Sequence, residues 1–127
     1  MQGRKVFLVG MSPFFYGQYH KRFTGEGSEV FIVDRERLFL EEIERNHPDV
    51  VVVDSACLSG GPDYFVERLM ESESIQNPVE VVFLVDFTDE ENFKESDHRF
   101  FSKLNFTPRE IIDKIKNFLK NNKNGGK

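Results

Sequence analysis

Pro48-Asp49-Val50-Val51-Val52-Val53-Asp54-Ser55 is the stretch on which the reading of this chain turns. Four consecutive valines are β-branched, stiff at χ1 and apolar on both sides of an extended chain. That pattern suits a strand buried on both faces, as in the middle of a parallel sheet. The run stops at Asp54, a carboxylate at the C-terminal end of the strand. In open α/β sheets that edge is where ligands and chemistry gather.

Working outward, Lys5-Val6-Phe7-Leu8-Val9 reads as a first strand, followed by Gly10-Met11 and by Ser12-Pro13, a helix N-cap with Pro in the first turn. A helix with Phe15, Tyr16, Tyr19 and Phe23 at helical spacing runs to about Thr24 and breaks at Gly25-Glu26-Gly27. Glu29-Val30-Phe31-Ile32-Val33 is a second strand. Asp34 caps the next helix, whose apolar residues are Leu38, Phe39, Leu40 and Ile43; His47-Pro48 ends it. Beyond Asp54 a loop of turn formers leads to Pro62, which opens a helix with Phe65, Val66, Leu69 and Met70 on its inner stripe. Val81-Val82-Phe83-Leu84-Val85 is a fourth strand ending at Asp86. The acidic segment from Phe87 to His98 has room for a short or trimmed helix only. Arg99-Phe100-Phe101-Ser102-Lys103 is a fifth strand. Thr107-Pro108-Arg109-Glu110 is a capping box that opens a last helix with Ile111, Ile112, Ile115, Phe118 and Leu119 inward. Residues 1–120 form one domain on this reading, and 121–127 a polar tail or the start of a linker.

The totals agree with that outline. A chain of 127 residues buries roughly two-thirds of its unfolded surface. Hydrophobic residues make up 39% and charged residues 31%, with fourteen Phe and no Trp, so the aromatic core is built from phenylalanine. A net charge of −5 argues against nucleic-acid binding by charge alone. No apolar run approaches the ~20 residues of a membrane span, and no signal peptide precedes the first strand. The single Cys57 excludes an internal disulfide, fits a reducing cytoplasm, and reads as a small buried side chain. His20, His47 and His98 lie on different elements at no metal-like spacing. Gly25-Glu26-Gly27 follows a helix and precedes a strand, the reverse of a dinucleotide fingerprint. Strands alternating with helices through short connections call for a doubly wound, flavodoxin-like α/β fold.

The β/α order, the Pro-Asp-Val-Val-Val-Val-Asp strand, the Phe-Phe-Ser-Lys strand and the capped final helix resemble the receiver domain of two-component response regulators, from Lys5 to about Leu119. The resemblance implies a five-stranded parallel sheet in the order 2-1-3-4-5. It also implies a phosphoacceptor aspartate ending the third strand, here Asp54, a lysine after the fifth, here Lys103, and an aromatic switch position, here Phe100. Phosphoryl transfer to a carboxylate brings two anions together, so electrostatic stabilisation has to do nearly all the work. In receivers Mg²⁺ held by an acidic pair after the first strand supplies much of it, with a hydroxyl after the fourth.

Those positions depart from the pattern. The acidic pair falls on Gly10 and Met11, which offer no side-chain oxygen. The hydroxyl falls on Val85, and the next position is Asp86, a fixed negative charge that strand parity turns away from Asp54. Leu104 replaces the Pro that follows the lysine, which removes the usual reason for a cis bond there. Mg²⁺ binds through one or two carboxylates, so it is expected to bind weakly or not at all, and no other cofactor is implied.

The expectation is therefore a degenerate receiver in a phosphorelay pathway, not an enzyme, acting by docking to a protein partner such as a histidine kinase or an output domain. A homodimer through the face of the fourth helix, fifth strand and fifth helix is expected, with Phe87, Phe93, Phe101 and Phe106 as its apolar centre. In that setting Asp54 forms an ion pair with Lys103; a cation shared by Asp54 and Asp86 is a rarer arrangement. One alternative is a working phosphoacceptor at Asp54, with Lys103 and Phe100 transmitting the change. Another is a small-molecule binder using the crevice beyond Val9 and Val53, where Gly10 allows close approach.

Overall fold

In the computed structural model, residues 3–35, 38–71, 79–85, 99–103 and 106–125 are described. Among them the strands are β1 (Lys5–Val9), β2 (Glu29–Val33), β3 (Val50–Asp54), β4 (Glu80–Val85) and β5 (Arg99–Ser102). The helices are α1 (Pro13–Gly25), α2 (Phe39–Arg45), α3 (Gly61–Glu71) and α4 (Pro108–Gly125), with a 3-10 turn at Ser55–Cys57. All five strands pair in parallel, in the order β2-β1-β3-β4-β5. The fold expected from the valine strand is the fold found.

β3 sits at the centre because its four valines favour burial on both faces. Val50, Val51, Val52 and Val53 are all fully buried, each contributing about 1.5–3 kcal/mol of burial. The pleat deals them to two cores. Val50 and Val52 join Val6, Leu8, Val82 and Leu84 under α1 and α4, together with Tyr19, Phe23, Ile111 and Ile115. Val51 and Val53 join Phe7, Val9, Phe83 and Val85 under α2 and α3, together with Phe39, Ile43, Phe65 and Leu69. At the N-terminal edge Asp49 fixes the register of β1 against β3: its Oδ2 accepts from the Lys5 backbone N–H at 2.8 Å, and its own N–H donates to the Lys5 carbonyl at 2.8 Å.

Local signals set the helix ends. α1 closes as a Schellman turn: Ser28 N–H donates to the Phe23 carbonyl and Gly27 N–H to that of Thr24, with Gly27 at φ +87°. α4 opens on the expected capping box. Glu110 N–H donates to Thr107 Oγ1 at 3.2 Å, and Thr107 N–H donates to Glu110 Oε1 at 3.0 Å. The Thr107 backbone N–H first, and the Thr107 hydroxyl second, hold the Glu110 carboxyl below its ordinary range.

Several expectations are corrected. α2 begins at Phe39 with Leu38 as its cap residue, so Asp34 does not cap it. Ser12 occupies the N-cap of α1, but its side chain makes no capping bond there. Met70 is 69% exposed and does not belong to the inner stripe of α3. α4 continues beyond Leu119 to Gly125, through much of the expected tail. The segment from Phe87 to His98, where a trimmed helix was expected, lies outside the described residues.

Thr107→Ala is expected to lower stability by about 1 kcal/mol, and Thr107→Ser to leave it nearly unchanged, in urea unfolding.

Candidate functional site

The site lies at the C-terminal edge of the sheet, where β3 and β5 end on either side of β4. Lys103 follows β5, and its backbone N–H donates to the Val85 carbonyl at 2.9 Å, extending the β4–β5 pairing past the strand. Its ammonium reaches Asp54 Oδ2 at 2.9 Å. The side chains are 15% and 9% exposed, so solvent screens this pair weakly. The second carboxylate oxygen is also engaged: Asp54 Oδ1 accepts from the Ala56 N–H at 3.0 Å and caps the Ser55–Cys57 turn. One carboxylate thus closes a turn and neutralises a cation.

Register decides which neighbours share its space. Asp54 pairs with Leu84, and Leu84 with Phe101. Val52, Leu84 and Phe101 belong to the core under α1 and α4, so Asp54 and Lys103 extend that face. Val85 packs in the opposite core, under α2 and α3. The reading that placed Val85 at the hydroxyl position beside Asp54 is therefore corrected, because the pleat turns it to the other side. Asp86 and Leu104, with what was expected of each, lie outside the described residues.

Gly10 and Met11 stand where the acidic pair was sought. Gly10 continues the β1–β2 ladder, donating its N–H to the Val33 carbonyl at 3.0 Å. It adopts φ +68°, and a Cβ on it would lie 2.5 Å from Cys57 Cβ and nearer still to Cys57 Sγ. Met11 is 6% exposed and packs into the core under α1 and α4. Phe100, at the switch position, is half-buried and stacks on Phe83 with ring centroids 5.2 Å apart, on the side away from Asp54. His20 and His47 are exposed. Among the described residues no three His, Cys, Asp or Glu side chains gather as a metal site would require. No helix among them is long and apolar enough to cross a membrane.

Two neighbours escaped the reading of the sequence. Tyr19 of α1 is 1% exposed, and burial first, then the Asp54 charge, pushes its phenol well above its ordinary range. Its helical spacing signalled a core position; its place beside Asp54 needed the knowledge that α1 covers the Asp54 face. Tyr16, one turn earlier, donates its hydroxyl to the Val33 carbonyl at 2.9 Å, and burial raises its phenol too. The second, after the Tyr19 and Tyr16 pair of α1, is Cys57, which is half-buried against Gly10.

This arrangement is similar to solved structures of response regulators. The receiver domain of the TMAO respiratory system response regulator TorR superposes with a TM-score of 0.76, at 16% identity, covering 93% of this chain and 98% of that one. The chain has the receiver fold. The chemotaxis response regulator CheY4 of Vibrio cholerae gives a TM-score of 0.74 at 18% identity, covering 90% of this chain and 97% of that one. A response regulator receiver modulated diguanylate cyclase from Pelobacter carbinolicus gives 0.73 at 19% identity, covering 97% of both chains. Neither a scan of protein-family models nor a comparison with curated proteins gives a match. At these identities the likeness to receivers concerns the fold, and the chemistry rests on the residues themselves.

Two outcomes test this geometry. Asp54→Ala takes the carboxylate away from a largely buried ammonium and is expected to cost about 3–5 kcal/mol, much of it recovered when Lys103→Met is added, as read from urea midpoints. The second concerns pH. An unfolded tyrosine titrates near 10.0, whereas Tyr19 in the fold holds its proton above that value. Its contribution to stability is complete below pH 10.0 and is lost as pH rises beyond it. Tyr19→Phe is expected to flatten the alkaline fall in unfolding midpoint, with Tyr16 leaving a residual slope.

Proposed function

We propose that this chain is a degenerate receiver domain of a two-component pathway, working by docking to a protein partner rather than by regulated phosphorylation. The observation that carries the reading is that both oxygens of Asp54 are engaged within the fold, by Lys103 and by Ala56 N–H. A phosphoacceptor carboxylate needs a cation to offset the incoming negative charge, and here the Lys103 ammonium already offsets the charge of Asp54 itself. The donor set here does not fit a divalent ion: Gly10 and Met11 bring no oxygen, and Asp54 already answers to an ammonium. Mg²⁺ binding is accordingly weak or absent on this reading, and no catalysis by the chain itself is proposed. A cytoplasmic setting follows from the signalling role.

The docking surface we favour is β5 with α4. Phe101 packs edge-on against Phe106 at 5.4 Å and stacks with Phe118 at 6.1 Å. The Arg99 guanidinium lies 3.6 Å over the Phe118 ring, and the Lys114 ammonium 5.4 Å from Phe106. Half-buried rings under cations give a partner both apolar contact and charge, as protein interfaces use them. A second copy of the chain and a kinase or output domain are both partners of this kind. Phe87 and Phe93, expected on the same face, lie outside the described residues.

The retained Asp54–Lys103 pair supports a second reading, in which a cognate histidine kinase phosphorylates Asp54 and Lys103 follows the charge. Incubation with Mg²⁺ and a small acyl phosphate, followed by intact mass measurement beside an Asp54→Asn control, separates the two. No phosphoryl adduct is expected on either protein. An adduct on the wild type alone would overturn the docking-only reading.

A further inference from the structure

We infer that the free edge of β2 is a self-association surface, on which a second copy of this chain adds its own β2 in antiparallel register about a two-fold axis at Ile32. β2 is the outermost strand of the sheet, with β1 on one side and no strand among the described residues on the other. Glu29 N–H donates to the Arg4 carbonyl, and the Val33 carbonyl accepts from Gly10 N–H, so residues 29, 31 and 33 turn their backbone groups toward β1. Alternation then points the N–H and C=O groups of Val30 and Ile32 away from the sheet. Edge strands are normally blunted by a charge, a proline or a bulge. Between Glu29 and Asp34 this strand has none of them; it reads Val-Phe-Ile-Val and pairs with β1 without a break. Its surroundings are apolar as well. Among the described residues five large hydrophobic side chains are exposed, and three of these lie on β2 or on segments anchored near its C-terminal end. Ile32 is on the strand itself. Leu38 donates its N–H to the Arg35 carbonyl, and Phe14 stands two residues before Tyr16, whose hydroxyl bonds to the Val33 carbonyl.

The charges flanking the strand select the occupant. Glu29 and Arg35 are exposed and lie equally far from Ile32, one before it and one after. An antiparallel copy centred on Ile32 brings Glu29 of each chain opposite Arg35 of the other, while Ile32 meets Ile32 and the outward backbone groups find partners. A parallel copy in register would instead set Glu29 beside Glu29 and Arg35 beside Arg35. The antiparallel contact uses the same patch on both chains, so it closes at a dimer. β2 is at the opposite end of the sheet from β5, and this contact leaves the β5–α4 face open.

Sedimentation equilibrium of the full chain tests this, independently of whether Asp54 is phosphorylated. A concentration-dependent dimer is expected. Ile32→Lys, at a side chain 47% exposed in the single chain, is expected to weaken it at least about tenfold and to leave the urea midpoint of the dilute protein nearly unchanged. Glu29→Arg alone and Arg35→Glu alone each set like charges opposite one another and are expected to weaken the dimer about tenfold at low salt. An equimolar mixture of these two variants is expected to associate as the wild type does, because each chain then supplies the charge that the other lacks. If Ile32→Lys lowers the midpoint, the mixture decides alone. A wild type that stays monomeric, or a mixture that associates no better than either variant by itself, overturns the proposal. So does a dimer untouched by Ile32→Lys, which belongs to another face such as β5 with α4.

Discussion

Burial of β3 on both faces is the constraint from which the rest follows. A strand of four fully buried valines needs a neighbour on each side and a helical layer above and below, which is the doubly wound sheet. Its last residue inherits the same surroundings. Asp54 sits at the edge of a dry core with 9% of its side chain exposed, and a carboxylate in that position is strongly unfavourable unless both oxygens find partners. It finds one along the chain, the Ala56 N–H two residues on, and one across the sheet, the ammonium of Lys103. The ion pair spans β4 and joins the ends of β3 and β5. It is the polar closure of an apolar sheet.

The same constraint explains why the pocket is crowded. Whatever shares the Asp54 face belongs to the core under α1 and α4, and the nearest occupants are large. Tyr19 brings a buried ring whose phenol feels the carboxylate, and Met11 turns inward. Phosphoryl transfer needs the opposite: an open approach, oxygens for a cation, and donors aimed at the incoming group. In this protein a lysine and a backbone N–H complete the carboxylate before any ligand arrives.

Much of this was legible in the sequence because it rests on short-range chemistry. Strand identity follows from apolar runs bounded by turn formers, and strand order from the resemblance to receivers. The α4 start follows from Thr107 and Glu110 three residues apart, and the Asp54–Lys103 meeting follows from two strands ending on one edge. What was not legible depends on facing. Val85 and Leu84 are equally apolar, and only the pairing of Asp54 with Leu84 shows which one looks toward the carboxylate; a slip of one residue exchanges them. Met70 fits the helical stripe of α3 by spacing yet lies mostly in solvent, because spacing does not say where a stripe ends. Asp34 resembles a cap, but α2 starts five residues later. The role of Gly10 is a matter of close approach between residues 47 positions apart in sequence, and nothing local to either announces it.

The presence of an Asp54–Lys103 pair at this edge of the sheet still needs a reason, and the geometry supplies one. A buried ion pair is weak evidence for stability, since apolar replacements of similar volume often do as well. Its distinct property is direction: it is satisfied in one arrangement only. Here that arrangement fixes the end of β5 relative to β3. β5 carries Arg99 and Phe101, on which Phe106, Phe118 and the start of α4 are stacked. A slip of β5 by one residue would remove Lys103 from Asp54 and at the same time turn Phe101 out of the core. On the docking reading, the pair that a working receiver uses for chemistry has become the device that holds the β5–α4 face in register. A rigid recognition surface would then depend on both residues.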